Sequence, residues 1–430
     1  MKNKIVFIPF LLLVCTPMYS GMPELLNGEN RLLSDWLRLQ QRLIRASKGV
    51  PHVAYSRHFA YTSIAVYEAL ANSDVSYNSL AGQLQDLGAL PKPVRGVKYC
   101  WPASGNAAFA MMFRSFYKNI VSKTHLIDSL ENAYYAMYEY TGYTEDEVNK
   151  GEAFGKSIAQ AILAWADRDG YSKNRPAYQL LTGEGRWIAT PPGFDAPALP
   201  YWVENRTMTA GKVSIKEPLQ FNKEKASEFH KMVSEVYDVC KNLTEEQTNI
   251  AWFWDDSPNG KYFSVFGHWA SILAQIIDEK KLPLMTGAEA FAKMSMSQYN
   301  ASIACWKGKY KYAVLRPVTY IQKYIDKSWT PLIETPPHPE YPAAHATFSS
   351  AAAIALTNVL GKNLSFTDHS YDDLGFAPRS FNSLEEAAHE AGLSRLYGGI
   401  HYRPSIDAGF LLGEGVANEM INQLKFRKAK

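Results

Sequence analysis

The stretch PPHPEYPAAHATFSSAAAIALTNVL, residues 336–360, changes character at its middle. Pro336, Pro337, Pro339 and Pro342 fix the backbone and remove N–H donors, so no regular helix runs through them. From Ala346 onward alanines dominate and proline is absent, which predicts a helix over 346–360 starting just after His345. The first turn of a helix leaves N–H groups without partners and carries the positive end of the helix dipole. An anion lying before His345 would meet both.

Two neighbouring segments add charge to that junction. KYKYAVLRP (309–317) carries Lys309 and Arg316, and SRLYGGIHYRPSIDAG (394–409) carries Arg395, Gly398, Gly399 and His401. Taken singly, each has a structural explanation. Lys309 and Arg316 are seven apart and fall on one face of a helix, where such residues are usually solvated; His345 suits a core position and His401 a loop. Together they fit one chemistry. Guanidinium groups present paired donors that match two oxygens of a phosphate-like anion, and lysine adds a point charge. Gly398 and Gly399 lack side chains, which would let backbone N–H groups approach the same anion. Two histidines complete a covalent mechanism, one attacking or ligating the central atom and the other moving protons.

Outside these segments the punctuation is helical. Thr144 with Glu147, Thr244 with Gln247, Thr286 with Glu289 and Ser383 with Glu386 have capping-box spacing. Apolar residues recur at three-and-four spacing in 31–46, 57–73, 105–121, 145–166, 262–278 and 406–425. The fold class is therefore all-α, a large helical bundle of about a dozen helices. An N-terminal helical layer is expected over 21–170 and a C-terminal bundle with the oxyanion site over 223–430. Between them, 171–222 is a proline-rich irregular connection, and a loop so long usually walls a site. Gly409, Gly413 and Ala417 lie one turn apart, so the last helix should approach a neighbour closely. Gly151, Gly155, Lys156 and Ser157 imitate a phosphate-binding loop, but the spacing is one residue short and no strand precedes it.

The chain of 430 residues is long enough for one large or two closely packed domains, and its charge of +3 argues against nucleic acid as a partner. Residues 1–20 read as an export signal: Lys2 and Lys4, then an apolar run from Ile5 to Val14 too short to span a bilayer. That places the protein outside the cytoplasm, as a periplasmic, secreted or Cys15-lipidated species, with no transmembrane helix after the signal. Cys100, Cys240 and Cys305 permit one disulfide without specifying it, and buried thiols serve equally well. Asn205, Asn242, Asn300 and Asn363 occupy glycosylation sequons.

The three charged segments resemble the three-part signature shared by vanadium-dependent haloperoxidases and type 2 phosphatidic acid phosphatases. Its first part is Lys309, six residues, then Arg316-Pro317. Its second stands here as Pro342-Ala343-Ala344-His345, and its third as Ser394-Arg395, five residues, then His401. Looser similarity to bacterial haloperoxidase-like proteins runs through YTSIAVYEA (61–69), LTEEQTNIAWFWDD (243–256) and FGHWASILAQ (266–275). The resemblance implies that Lys309, Arg316 and Arg395, with the backbone at Ala343 and Ala344, hold the oxygens of vanadate or of its near-isostere phosphate. It implies His401 as vanadate ligand, or as nucleophile toward phosphate, and His345 as the acid–base group. Trp306 and His338 fall beside the halide, and Asp255 or Asp256 would orient an arginine. There are departures. Ala343 replaces a serine whose hydroxyl donates to the anion, a loss of about 1.5–3 kcal/mol, and Ala344 replaces a glycine. Ser405 stands where phosphatases often carry the aspartate that orients the nucleophile, and Asp407 is out of register.

Three functions follow. The first is a haloperoxidase oxidising bromide or iodide with hydrogen peroxide and passing the oxidised halogen to an organic acceptor. The second is an exported acid phosphatase acting on phosphomonoesters. The third is a non-catalytic anion-binding surface protein, motivated by Ala343. The oligomeric state is left open by the sequence.

Overall fold

The computed structural model describes residues 31–120, 123–211 and 213–428. The export segment 1–20 and Cys15 lie outside the described residues. Thirteen α-helices are found among those described. In chain order they are α1 (Leu32–Ala46), α2 (Ala54–Leu70), α3 (Trp101–Phe116), α4 (Thr124–Tyr140), α5 (Glu145–Ala166), α6 (Glu228–Lys241) and α7 (Glu245–Phe253). Then follow α8 (Val265–Lys280), α9 (Leu284–Tyr312), α10 (Pro317–Tyr324), α11 (Ala344–Leu360), α12 (Leu384–Tyr397) and α13 (Arg403–Gln423). A short antiparallel pair, β1 (Phe366–Asp368) with β2 (Arg379–Phe381), is the sheet among these residues. The fold is all-α.

Local chemistry explains most helix starts. Thr144 and Thr244 form reciprocal capping boxes, and Ser383 caps α12 through the Glu386 N–H. Each such cap stabilises its helix by roughly 1 kcal/mol. Thr286 is the exception. Helix α9 begins at Leu284, after Pro283, so Thr286 lies inside the first turn rather than before it.

Helix α9 is the axis of the molecule. It packs against α2 on one side and against α11 and α13 on the other. Its 29 residues are buried nearly all round, so its sequence shows no apolar stripe. Helices α11 and α13 meet closely: a Cβ at Gly413 would lie 2.2 Å from the Thr347 carbonyl oxygen. The imitation phosphate loop lies within α5, where a Cβ at Gly155 would meet the Ser104 carbonyl oxygen at 2.0 Å. Those glycines serve helix–helix approach.

The described residues of 171–222 hold a short 3-10 turn at Trp202–Glu204 and a single β-bridge, Arg186 with Val314, just after α9. The Ala198 carbonyl accepts bonds from Trp306 Nε1 (3.1 Å) and Tyr310 Oη (2.7 Å), and the Ala198 N–H donates to Pro337. The irregular connection thereby braces both α9 and the proline-rich approach to α11. No disulfide joins the described cysteines. Asn205 and Asn300 are buried, which leaves Asn242 and Asn363 as the accessible sequons. None of the described helices is long and apolar enough to cross a membrane.

Candidate active site

Helix α9 ends where Ala313 adopts a left-handed conformation, and α10 begins at Pro317. Lys309 therefore sits in the last turn of α9 and Arg316 in the extended residue before α10. They do not share a helix face, and both are fully buried. The turn aims both inward.

Arg316 is held on every side. Its Nε donates to the His338 carbonyl (2.9 Å) and Nη1 to the Ile400 carbonyl (2.9 Å). Nη1 also reaches His401 Nε2 at 3.2 Å, and Nη2 reaches His338 Nδ1 at 3.0 Å. Arginine only donates, so both imidazole nitrogens accept. His338 Nδ1 also lies 3.2 Å from the Pro339 carbonyl. His401 Nδ1 lies 2.7 Å from Glu340 Oε1, which also accepts the Tyr402 N–H at 3.1 Å. A carboxylate on Nδ1 fixes the tautomer and leaves Nε2 as the unprotonated nitrogen, whose electron pair is turned to Arg316.

Glu340 was not legible as a site residue in the sequence. It takes the place expected for an aspartate near 405: Ser405 faces Glu340, and Asp407 is exposed. The available clue was a lone acid among prolines, between His338 and His345.

Lys309 Nζ donates to the carbonyls of Pro339 (3.0 Å), Glu340 (3.0 Å) and Pro342 (2.7 Å). An ammonium has three protons, and all three are used to clamp the loop that carries Glu340. Burial lowers its pKa to about 7, and burial raises that of Glu340 to about 7. Burial also brings Arg316 down to about 10, so it stays charged at neutral pH. His401 and His338 are pushed well below the usual histidine value by burial and then by the cations around them. Both are neutral.

His345 enters from the first turn of α11, whose N-terminus has no side-chain cap. Its Nε2 faces Asp256 Oδ2 at 3.4 Å, longer than a good hydrogen bond. Burial and then Arg395 lower its pKa to about 3. Arg395, on α12, donates from Nη1 to the Trp254 carbonyl at 2.6 Å, and its Nε has no partner. Among the described residues no aspartate lies within ion-pair distance of Arg395. Asp255 and Asp256 act on Arg395 through charge and not through a hydrogen bond. The Trp254 carbonyl orients Arg395, Asp255 accepts from Ser257 Oγ (2.9 Å), and Asp256 binds histidines.

His52, His338, His345, Arg395, His401, Trp306, Asp255 and Ala344 line one enclosed cavity with Val265, Phe266 and Phe348. Its volume is about 30 Å³, where one water needs roughly 10–15 Å³. It suits a small inorganic species. A wider groove of about 850 Å³ on the surface, beside Gln275 and Phe381, holds none of these residues. His52 is another residue the sequence did not reveal; its Nε2 meets the Asp256 carbonyl at 2.7 Å. Gly398 and Gly399 do not face the cavity through their N–H groups. Those donate to Ser394 (2.8 Å) and Leu396 (3.0 Å) and close α12, with Gly399 supplying the left-handed residue of the turn.

A family profile described as the VCPO second helical-bundle domain matches residues 323–428. None of the curated proteins matches the chain. Among solved structures, a bacterial vanadium-dependent iodoperoxidase superposes with a TM-score of 0.83 at 32% identity, over 93% of this chain and 97% of that one. The holo form of a bacterial vanadium-dependent chloroperoxidase superposes with a TM-score of 0.65 at 14% identity, over 88% and 94%. Its apo form gives 0.64 at 15%, over 86% and 93%. These two share the fold. The chain belongs to the vanadium-dependent haloperoxidase family and is an enzyme of that kind.

Proposed function

We propose that the protein is a vanadate-dependent peroxidase that oxidises iodide or bromide with hydrogen peroxide and delivers the oxidised halogen to an organic acceptor. The observation that carries the reading is the state of His401. Glu340 holds its Nδ1, so Nε2 is unprotonated and can exchange its bond to Arg316 for a ligand in the cavity that Arg395 and His345 also line. Unpartnered polar atoms fit an oxyanion there: Arg395 Nε is buried with no acceptor, and the first N–H groups of α11 have no side-chain cap.

In this reading His401 would ligate vanadate through Nε2 and so release the Arg316 Nη1 N–H that it now accepts, while Arg395 and the first N–H groups of α11, from Ala344 beside the anchored Ala343, would meet the other oxygens. Lys309 acts through its charge and by clamping the 339–342 carbonyls. Bound vanadate would supply the Lewis acidity that activates peroxide. His345 moves the proton that peroxide must lose, and Trp306 and His338 wall the halide. Trp306 is itself fixed by the Ala198 carbonyl, which makes the irregular connection part of the wall. Export through residues 1–20 belongs to the same reading and would place the enzyme outside the cytoplasm.

The cavity volume favours this over the phosphatase alternative, because an organic phosphomonoester needs more room than the two or three waters that about 30 Å³ would hold. The experiment is to load the purified protein with orthovanadate and assay halide oxidation beside phosphatase turnover. Halide oxidation that requires vanadate supports the proposal. Phosphatase turnover that vanadate abolishes would replace it with the acid phosphatase reading.

A further inference from the structure

We propose that His268 and Asp368 are positioning residues for His345: they hold Asp256 so that one carboxylate oxygen faces His345 Nε2 and leaves Nδ1 for the reacting oxygen. The inference rests on the reading of His345 as the proton-transfer group.

His268 is fully buried on α8, outside all three parts of the signature. Its Nδ1 lies 2.8 Å from Asp256 Oδ1, and its Nε2 lies 2.8 Å from Asp368 Oδ2. Carboxylates only accept, so both ring nitrogens carry protons and the ring is an imidazolium. Burial opposes that charge, but the two flanking carboxylates outweigh it and raise the pKa to about 10. The Trp254 ring lies over the imidazolium at 4.2 Å, nearly parallel. The same tryptophan's carbonyl holds Arg395, so one residue ties the imidazolium to the cavity's cation.

Asp256 is where the arrangement becomes directional. Its Oδ1 accepts both His268 Nδ1 and Tyr371 Oη (2.7 Å). Its Oδ2 has no hydrogen-bond partner and points at His345 Nε2, 3.4 Å away. Its backbone is left-handed, with φ of 54°, a conformation that non-glycine residues seldom adopt and that clusters at functional sites. The far end is fixed as well. Asp368 Oδ1 accepts the Ser370 N–H (2.9 Å) and hydroxyl (2.5 Å), with Gln275 Nε2 at 3.4 Å. A buried ionic triad of this kind adds little net stability over apolar packing. What it does provide is one orientation of Asp256. The charged and titratable groups that face His345 are Asp256, Arg395 and His52, and His268 is the group that balances Asp256.

The test uses the full chain. Without vanadate, proton NMR should show two strongly deshielded imidazole N–H signals, both absent in His268→Gln. With orthovanadate loaded, His268→Gln and Asp368→Asn should lower kcat for iodide oxidation about 10–100-fold, the scale seen when groups that orient a primary residue are removed. Vanadate affinity and the KM for peroxide should stay within about twofold, since only proton transfer is disturbed. An unchanged kcat in folded variants would overturn the proposal. So would an equal loss of vanadate affinity, which marks a general collapse of the cavity. If neither variant folds, the wild-type spectrum decides: deshielded signals uphold the imidazolium, and their absence overturns it. Wild-type protein that binds vanadate but oxidises no halide would count against the function proposed above, while the same spectrum still judges His268.

Discussion

On one wall of the cavity His401 sits among Lys309 and Arg316, with a single carboxylate, Glu340, behind it. On another wall His345 backs onto Asp256, which is tied through His268 to Asp368. The first wall concentrates positive charge that has lost its water. Taking such ions from water costs several kcal/mol each, and backbone carbonyls return only part of it. A wall of that kind gains stability when an anion arrives. The second wall alternates acid and imidazole, so its charges are balanced before any ligand binds. One wall holds an anion, and the other handles a proton.

Substitutions can separate the two walls, and the largest effect is expected on the proton side. His345→Ala should reduce kcat for halide oxidation by about 10²–10⁴-fold, the usual worth of a positioned acid–base group. Orthovanadate should still bind, as measured by titration. If binding and turnover fall together, the walls do not divide the work.

Arg395→Ala comes next and should do the reverse. Losing charge-assisted donors to a bound oxyanion costs about 1.5–3 kcal/mol, or roughly 10–150-fold in vanadate affinity. Equilibrium titration checks it. Affinity equal to wild type would remove Arg395 from the anion wall.

A third test varies pH instead of sequence. Lys309 and Glu340 both titrate near 7. Below that value the lysine is charged and the glutamic acid neutral, the combination that favours an anion. As pH rises through 7 the lysine loses its charge and the glutamate gains one, so vanadate affinity should fall, approaching tenfold per pH unit for each proton released. Titrations at pH 6, 7 and 8 that give one affinity would show that neither group senses the anion.

How much of this arrangement the sequence disclosed depended on what was local. Arg316, Arg395, His345 and His401 could be singled out because they lie in short segments of fixed spacing; the last three line one cavity and Arg316 bonds to His401 behind it. Helices with an apolar stripe or a capping box, such as α1 and α5, were readable to within a few residues. Helix α9 was not, because a helix buried on all faces has no periodicity to read. Glu340, His52, His268 and Asp368 were missed for a related reason. Their importance comes from contacts across 61, 204 and 100 positions of chain, which no local spacing encodes.

The smallest effect is expected at Ala343. Its carbonyl accepts the Thr347 hydroxyl at 2.8 Å, and its N–H donates to the Ser405 carbonyl at 3.1 Å, so its backbone is already anchored. Ala343→Ser adds one hydroxyl at the edge of the anion wall. A single added hydrogen bond contributes about 1–3 kcal/mol at most, so vanadate affinity should rise between a few-fold and about a hundredfold. No gain would mean that the hydroxyl does not reach the anion.

The division between the walls is tested most directly by a crystal structure of the protein with orthovanadate. The account predicts vanadium bonded to His401 Nε2, with Arg316 and Arg395 on its oxygens and His345 touching an oxygen but not the metal. Vanadium bonded to His345, or an anion seated away from His401, would contradict it.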